Sequence, residues 1–222
     1  MECEDVLTKS AVPDAKTPRT ERGRRTLRKL FDAAAEEFGE KGFHEASVSS
    51  ITRRAGVALG SFYTYFDSKE ALFRALVQDM SERVKLVAIQ GVEKIETKGN
   101  ATSVDKEVAA FSSFLDFARE FAEIYQIIDE SKFVAPDCYR KHYETTATRI
   151  FERLCKGIER GDLREGLSEG HAWAMMGMAV FLGLRYAVWA RDGDRIDMIP
   201  DLTRDILQHG IARPLPEDIR RR

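Results

Sequence analysis

The sequence predicts an all-α protein, on three observations. Apolar residues recur at helical spacing over most of the 222 residues. No segment keeps the period-two alternation of a strand, and no internal repeat is visible. Two short helical stretches are joined by a tight glycine turn. With 43% apolar and 32% charged residues, the chain is globular and long enough for one large or two modest cores.

Residues 1–18 contain Pro13, Pro18 and mixed charge without apolar periodicity, and are expected to form a flexible arm leading into basic sequence. Leu27, Leu30, Phe31, Ala34 and Phe38 then form a continuous apolar stripe, and this first helix is expected to stop at Gly42, in a left-handed cap. Ser47 is a suitable N-cap for a short second helix with Val48, Ile51 and Ala55 inward, and Gly56 supplies the turn after it. In the third helix Phe62 and Phe66, at i and i+4, face inward, while Leu59, Gly60, Ser61, Tyr63, Thr64 and Tyr65 share the remaining surface. A fourth helix opens at Asp67 or Ser68, with Asp67 and Glu70 spaced as a capping box, and runs through Leu72, Leu76, Met80 and Val84. Two short helices across a glycine turn, buttressed by longer ones, make a helix-turn-helix. Beyond residues 91–103 the helices lengthen and become richer in Phe and Met. They are expected near 104–129, 136–160, 168–191 and 197–210, with GDLREG as a turn, Pro136 in a first helical turn, Ser168 as an N-cap and Gly210 as a stop.

Net charge is −2, but Lys16, Arg19, Arg22, Arg24, Arg25, Arg28 and Lys29 stand against the single acid Glu21 just where the first helix begins. Cys3, Cys138 and Cys155 are too few and too scattered for a disulfide framework, which fits a reducing cytoplasm. MECEDVLTKS is acidic and lacks an apolar core, so no signal peptide is expected. Residues 172–190 are nearly apolar, but Arg185 lies well inside them and a lone charge is costly in lipid, so no membrane span is expected. Cys138 and His142, at i and i+4, are too few to hold a metal. No nucleophile-base pair, phosphate loop or cofactor motif is apparent, so the chain does not read as an enzyme and no cofactor is expected.

Between about Arg24 and Val77 lie AAAEEFGEKGF, ASVSSITRRAGV and ALGSFYTYFDSKEALFRALV. This combination resembles the TetR family of bacterial transcriptional regulators. The resemblance implies a helix-turn-helix DNA-binding domain over residues 19–67 and a larger helical ligand-binding and dimerisation domain over 68–222. It implies a cytoplasmic homodimer on a double-stranded DNA operator, most simply a repressor released by an apolar small molecule. It places Tyr63 and Tyr65 on backbone phosphates, Ser61 and Thr64 near bases or phosphates, and Gly60 where a side chain would obstruct the groove. Lys69, at the start of the fourth helix, is expected to clamp a phosphate. Ser47 and Ser49 are expected at the backbone, with Arg24 and its basic neighbours near phosphates or the minor groove. The sequence departs from the family at Ala58, where Ser or Thr is common, and at Leu59, whose apolar side chain points to thymine methyls rather than guanine.

The small residues Ala172, Ala179, Gly183, Ala187 and Ala190 suit a close approach by a partner helix, beside the apolar stripe Ile199, Leu202, Ile206 and Leu207; alternatively they pack within one subunit. Phe111, Phe114, Phe117, Phe121 and Ile128 on one helix, and Met175, Met176, Met178 and Phe181 on another, are suited to the walls of an adaptable apolar pocket, or to plain core. Residues 117–143 look like the corresponding part of regulators that sense acyl-CoA thioesters, under which Arg140, Lys141 or Arg149 would meet CoA phosphates. Arg185 is expected either at a ligand anion or paired with Asp116, Glu120, Asp129 or Glu130. The competing reading is a constitutive DNA-binding protein whose pocket residues are plain core.

Overall fold

A computed structural model describes residues 18–97 and 99–213. The predicted arm lies, but for Pro18, outside them. Nine α-helices follow in order: α1 Glu21–Glu45, α2 Val48–Ala55, α3 Leu59–Tyr65, α4 Lys69–Glu96, α5 Ser103–Glu120, α6 Glu123–Val134, α7 Pro136–Arg160, α8 Glu169–Gly183 and α9 Ile199–Gly210. No strand occurs among the described residues; a lone bridge joins Leu163 and Ala212. The protein is all-α, as the sequence predicts.

The helices group into two compact units. The first holds the described residues up to Arg83 together with Phe121–Tyr143, and the second holds Val84–Glu120 with the described residues from Glu144 onward. The first unit therefore takes in α6 and the opening turns of α7 as well as the residues before the 67/68 boundary read from the sequence.

In the first unit an aromatic cluster is the keystone. Phe38, Phe62, Phe66 and Phe73 are fully buried. Phe73 stands edge-on to Phe38 at 5.1 Å and to Phe43 at 5.0 Å, and Phe66 packs on Phe31 and Phe62. Edge-on rings contribute beyond their buried area, because the positive edge of one meets the negative face of the other. Helix α1 starts at Thr20, whose hydroxyl accepts the Gly23 N–H at 3.1 Å. The helical path is interrupted at Gly42, with φ 75° and ψ 167°. That is a positive φ, as expected, but in a region open only to glycine and not the left-handed helical cap. The Glu130 carboxylate on α6 occupies the space beside it, 2.6 Å from where a Cβ would stand, and accepts the Phe43 N–H at 2.8 Å.

In the second unit Phe111 and Leu115 of α5 and Ile199 of α9 form a buried cluster, covered by Ala179, Leu182, Tyr186, Ala187 and Ile196. The buried Glu107 pairs with Arg153 of α7 at 2.6 and 2.8 Å, tying α5 to α7.

Three expectations are corrected here. The single helix read over 104–129 is two helices, broken at Phe121 and Ala122, where the apolar stripe slips out of phase: Phe111, Leu115 and Ala118 keep one face, but the next buried set is Ile124, Ile127 and Ile128. The helix read over 168–191 leaves α geometry at Leu184, continuing as a π turn to Val188. Four of the five small residues also turn inward. Ala172 and Gly183 are buried and Ala179 and Ala187 cover the chain's own core, whereas Ala190 is exposed. The outward side of α8 instead shows Trp173, Ala174 and Phe181, and that of α9 shows Leu202 and Ile206.

Candidate nucleic-acid interface

Helix α2 is started by a reciprocal cap. Ser47 Oγ accepts the Ser50 N–H at 3.0 Å, and Ser50 Oγ accepts the Ser47 N–H at 3.1 Å. Its end is set by Gly56, in the left-handed conformation at φ 64° and ψ 35°. Arg54, in the last turn, pins α2 to α1. Its guanidinium meets Glu36 and Glu37 at 3.0 Å and Glu40 at 2.5 Å. Burial pushes the Glu37 carboxyl up, but hydrogen bonds from Lys41 and Ser50 and the charges of Lys41 and Arg54 outweigh it and hold it below the usual carboxylate range. The hydrogen bond from Arg54 likewise depresses Glu40.

Helix α3 begins at Ala58, with no side-chain cap. Phe62 and Phe66 enter the aromatic core, which fixes the helix's rotation. The opposite face is left to water: Tyr63 is 52% exposed and Leu59 48%, with Gly60 and Thr64 also exposed and Ser61 and Tyr65 half-buried. A Cβ at Gly60 would meet nothing within 4 Å. Tyr65 leans toward α1, its hydroxyl 3.4 Å from the Cβ position of Gly23. The α2 to α3 turn and the first third of α1 enclose a cleft of about 730 Å³, lined by Glu21, Arg22, Arg25, Thr26, Lys29, Gly56, Val57, Ala58 and Ser61. Arg22, Arg25 and Lys29 are exposed at spacing i, i+3 and i+7, so three cations share one face of α1 next to α3. Arg24 and Arg25 share Glu21 in exposed pairs of 2.9 and 3.2 Å. Ser49 is exposed in the first turn of α2, while Ser47 is occupied by its cap.

The ammonium of Lys69, expected at a phosphate, has another occupation. It donates to the carbonyls of Phe43 at 2.7 Å and Ala46 at 2.8 Å and lies 4.4 Å over the Phe43 ring. Those carbonyls end α1, where backbone acceptors lack helical partners, so a cation there closes the turn into α2. The cap of α4 comes from Ser68, whose hydroxyl accepts the Ala71 N–H at 3.1 Å.

The residues read as a ligand pocket divide between the two units. Phe111, Phe117 and Met176 are buried and Phe114, Met175 and Met178 half-buried in the second unit, but Phe181, expected in a pocket wall, is turned to solvent at 71% exposure. Phe121 and the exposed Arg140 belong to the first, where the Arg83 guanidinium lies 4.1 Å over the Phe121 ring. Arg185 is not paired with any of the four acids expected. It forms a two-bond pair with Asp194 at 2.7 and 3.0 Å, holding the segment after the π turn. The hydrogen bond from Arg185 keeps the Asp194 carboxyl down at about 2.

Arg54 has no local signature in the sequence, because its partners lie on another helix. The basic cluster expected at the start of α1 does face the cleft through Arg22, Arg25 and Lys29, at spacing i, i+3 and i+7. Among the described residues no group of three His, Cys, Asp or Glu is placed to hold a metal, and no helix is long and apolar enough to cross a membrane.

Residues 30–76 match the model of the bacterial regulatory proteins, tetR family. The HTH-type transcriptional regulator YdgC of Bacillus subtilis is 35% identical over 111 residues, 50% of this chain and 51% of that one, so the match spans about half the length of each. The fatty acid metabolism regulator protein of Bacillus subtilis is 29% identical over 148 residues, 62% of this chain and 71% of that one. Among solved structures, the transcriptional regulator FadR from Bacillus subtilis in complex with stearoyl-CoA superposes with a TM-score of 0.68 at 22% identity, over 81% of this chain and 96% of that one.

Proposed function

We propose that this chain, whose residues 30–76 match the tetR family of bacterial regulatory proteins, is a homodimeric, ligand-responsive repressor, released from its operator by an apolar small molecule of the fatty acid or acyl-CoA class. One observation carries the DNA-binding part. Helix α3 spends Phe62 and Phe66 on its own core and turns Leu59, Gly60, Tyr63 and Thr64 outward, beside the exposed cations of α1. Such a helix enters the major groove, with Tyr63, Thr64 and Ser61 donating hydroxyls to phosphates or base edges and Tyr65 reaching the backbone from the α1 side. Ser49, Arg24, Arg22 and Lys29 extend the phosphate track, whereas Ser47 and Lys69 serve it indirectly, by fixing the start of α2. Operator DNA puts the working compartment in the cytoplasm.

A single recognition helix reads only a short half-site, so affinity requires two heads about one helical turn, roughly 34 Å, apart. The outward apolar side chains Trp173 and Phe181 of α8 and Leu202 and Ile206 of α9 are the surface proposed to meet a second copy. The effector class is supported by the fatty acid metabolism regulator among the relatives and by the stearoyl-CoA complex among the structural neighbours. Phe111, Phe117, Met175 and Met178 supply apolar, adaptable side chains in the second unit.

The test is fluorescence anisotropy on an operator selected from a random duplex pool, followed by titration with a series of fatty acids and acyl-CoAs. Tyr63→Phe is expected to weaken binding about two- to tenfold, the range for one lost hydrogen bond, without lowering Tm. An acyl-CoA is expected to release the operator and raise Tm. Failure to select any duplex refutes the DNA reading; a selected operator that no acyl compound releases favours the constitutive alternative.

A further inference from the structure

The outward face of α3 lacks every side chain that reads a base pair through two hydrogen bonds. Arg or Lys pairs with guanine in that way and Asn or Gln with adenine, and the helix Leu59–Tyr65, LGSFYTY, holds none of them. The nearby guanidinium of Arg54 is committed to Glu36, Glu37 and Glu40. The exposed cations Arg22 and Lys29 stand on α1, along the cleft, where they complement phosphate charge.

What the first turn of α3 presents is Leu59. It follows Ala58, which makes no side-chain cap, and precedes Gly60, beside which open space lets a groove edge approach. The isobutyl group is half-exposed although Phe62, on the same helix, and Phe66, just past its end, are fully buried. Major-groove edges carry one apolar group, the C5 methyl of thymine. Resting on the DNA-binding reading above, we infer that Leu59 is a specificity-determining residue: it selects a T·A pair in each half-site by packing on the thymine methyl. Hydroxyls of Ser61 and Thr64 accept or donate single bonds to neighbouring positions, and the α1 cations hold the backbone.

The test removes one methyl at a time. With the full-length protein and its selected operator, each thymine is replaced in turn by deoxyuridine, and dissociation constants are compared for the wild type and Leu59→Ala. One thymine per half-site is expected to lose about fourfold in affinity on losing its methyl, the fold-change for one buried methyl group. In Leu59→Ala that same replacement is expected to cost nothing. Cytosine at the same position is expected to bind more weakly than 5-methylcytosine in the wild type alone. Because Leu59 packs in no core, its alanine variant keeps its Tm, which separates lost contact from lost fold. An operator that binds tightly yet has no thymine with a Leu59-dependent methyl effect overturns this inference and leaves the DNA-binding reading standing. A pool from which no sequence is selected overturns both.

Discussion

Replacing Lys69 by Met, which keeps the stem and removes the ammonium, separates two jobs that one lysine can do beside DNA. In the structure the ammonium donates to the Phe43 and Ala46 carbonyls at 2.7 and 2.8 Å. Each hydrogen bond from a charged donor contributes about 1.5–3 kcal/mol, and the half-exposed site lets water replace part of that, so the loss is about 2 kcal/mol in total. For a chain of this size that lowers Tm by roughly 4–8 °C. Operator affinity falls too, since the α1 to α2 connection loosens, but the salt dependence should not change. A phosphate-bound lysine behaves oppositely: its loss lowers the slope of log K against log salt by about 0.9 per contact and leaves Tm alone. Anisotropy titrations at four salt concentrations, with a melt of the free protein, distinguish the two. A variant with unchanged Tm and a reduced slope would refute the reading of Lys69 as a clamp on the end of α1.

Gly42→Ala puts a Cβ into a glycine-only backbone conformation and against the Glu130 carboxylate; a loss of about 1–3 kcal/mol is expected in denaturant melts. Phe181→Glu places a charge on the outward face of α8 and is expected to yield monomers in sedimentation at micromolar concentration, with the subunit's helicity intact. For pH, the folded carboxyls of Glu37 and Glu40 lie below their ordinary value of 4.5, so their stabilisation is full above pH 4.5 and is lost as pH falls through the folded values. Arg54→Ala is therefore expected to melt below wild type at pH 7 and to converge with it as pH falls through the lowered folded values of the two carboxyls; a constant gap in Tm would show that Arg54 acts through packing alone.

Helical phase made much of this chain legible. The i, i+4 spacing of Phe62 and Phe66 predicts which face of α3 is buried, and both are fully buried, with Leu59 and Tyr63 outward. Pro136 marked the start of α7, and its end at Arg160 lies where the sequence reading put it. Phase also carries the break between α5 and α6. The apolar stripe through Phe111, Leu115 and Ala118 cannot continue on the same face to Ile124 and Ile127 in one straight helix, so the break at residues 121–122 was written as a register slip without a glycine or proline to mark it. The destinations of long charged side chains were not legible. Lys69 and Arg185 each carry a flexible stem, and whether the head group meets a solvent-side anion or its own backbone depends on elements distant in sequence or on a turn that does not yet exist at the level of periodicity.

The inward turn of the small residues on α8 follows from the same limit, and it changes which residues bear on assembly. Ala179 and Ala187 cover Phe111, Leu115 and Ile199, so close approach is used within the subunit, between α8 and its neighbours. Helix α8 places Ala172, Ala179 and Gly183 beside Met176 on its inner side, and Trp173 and Phe181 beside Ala174 on its outer one. Exposed rings of that size bury far more apolar area against a partner than alanines would, so the outer face of α8 gains more from association than the small-residue face could have done. The helix is thus readable from the pattern, but the choice of interface is not, because both of its faces are apolar.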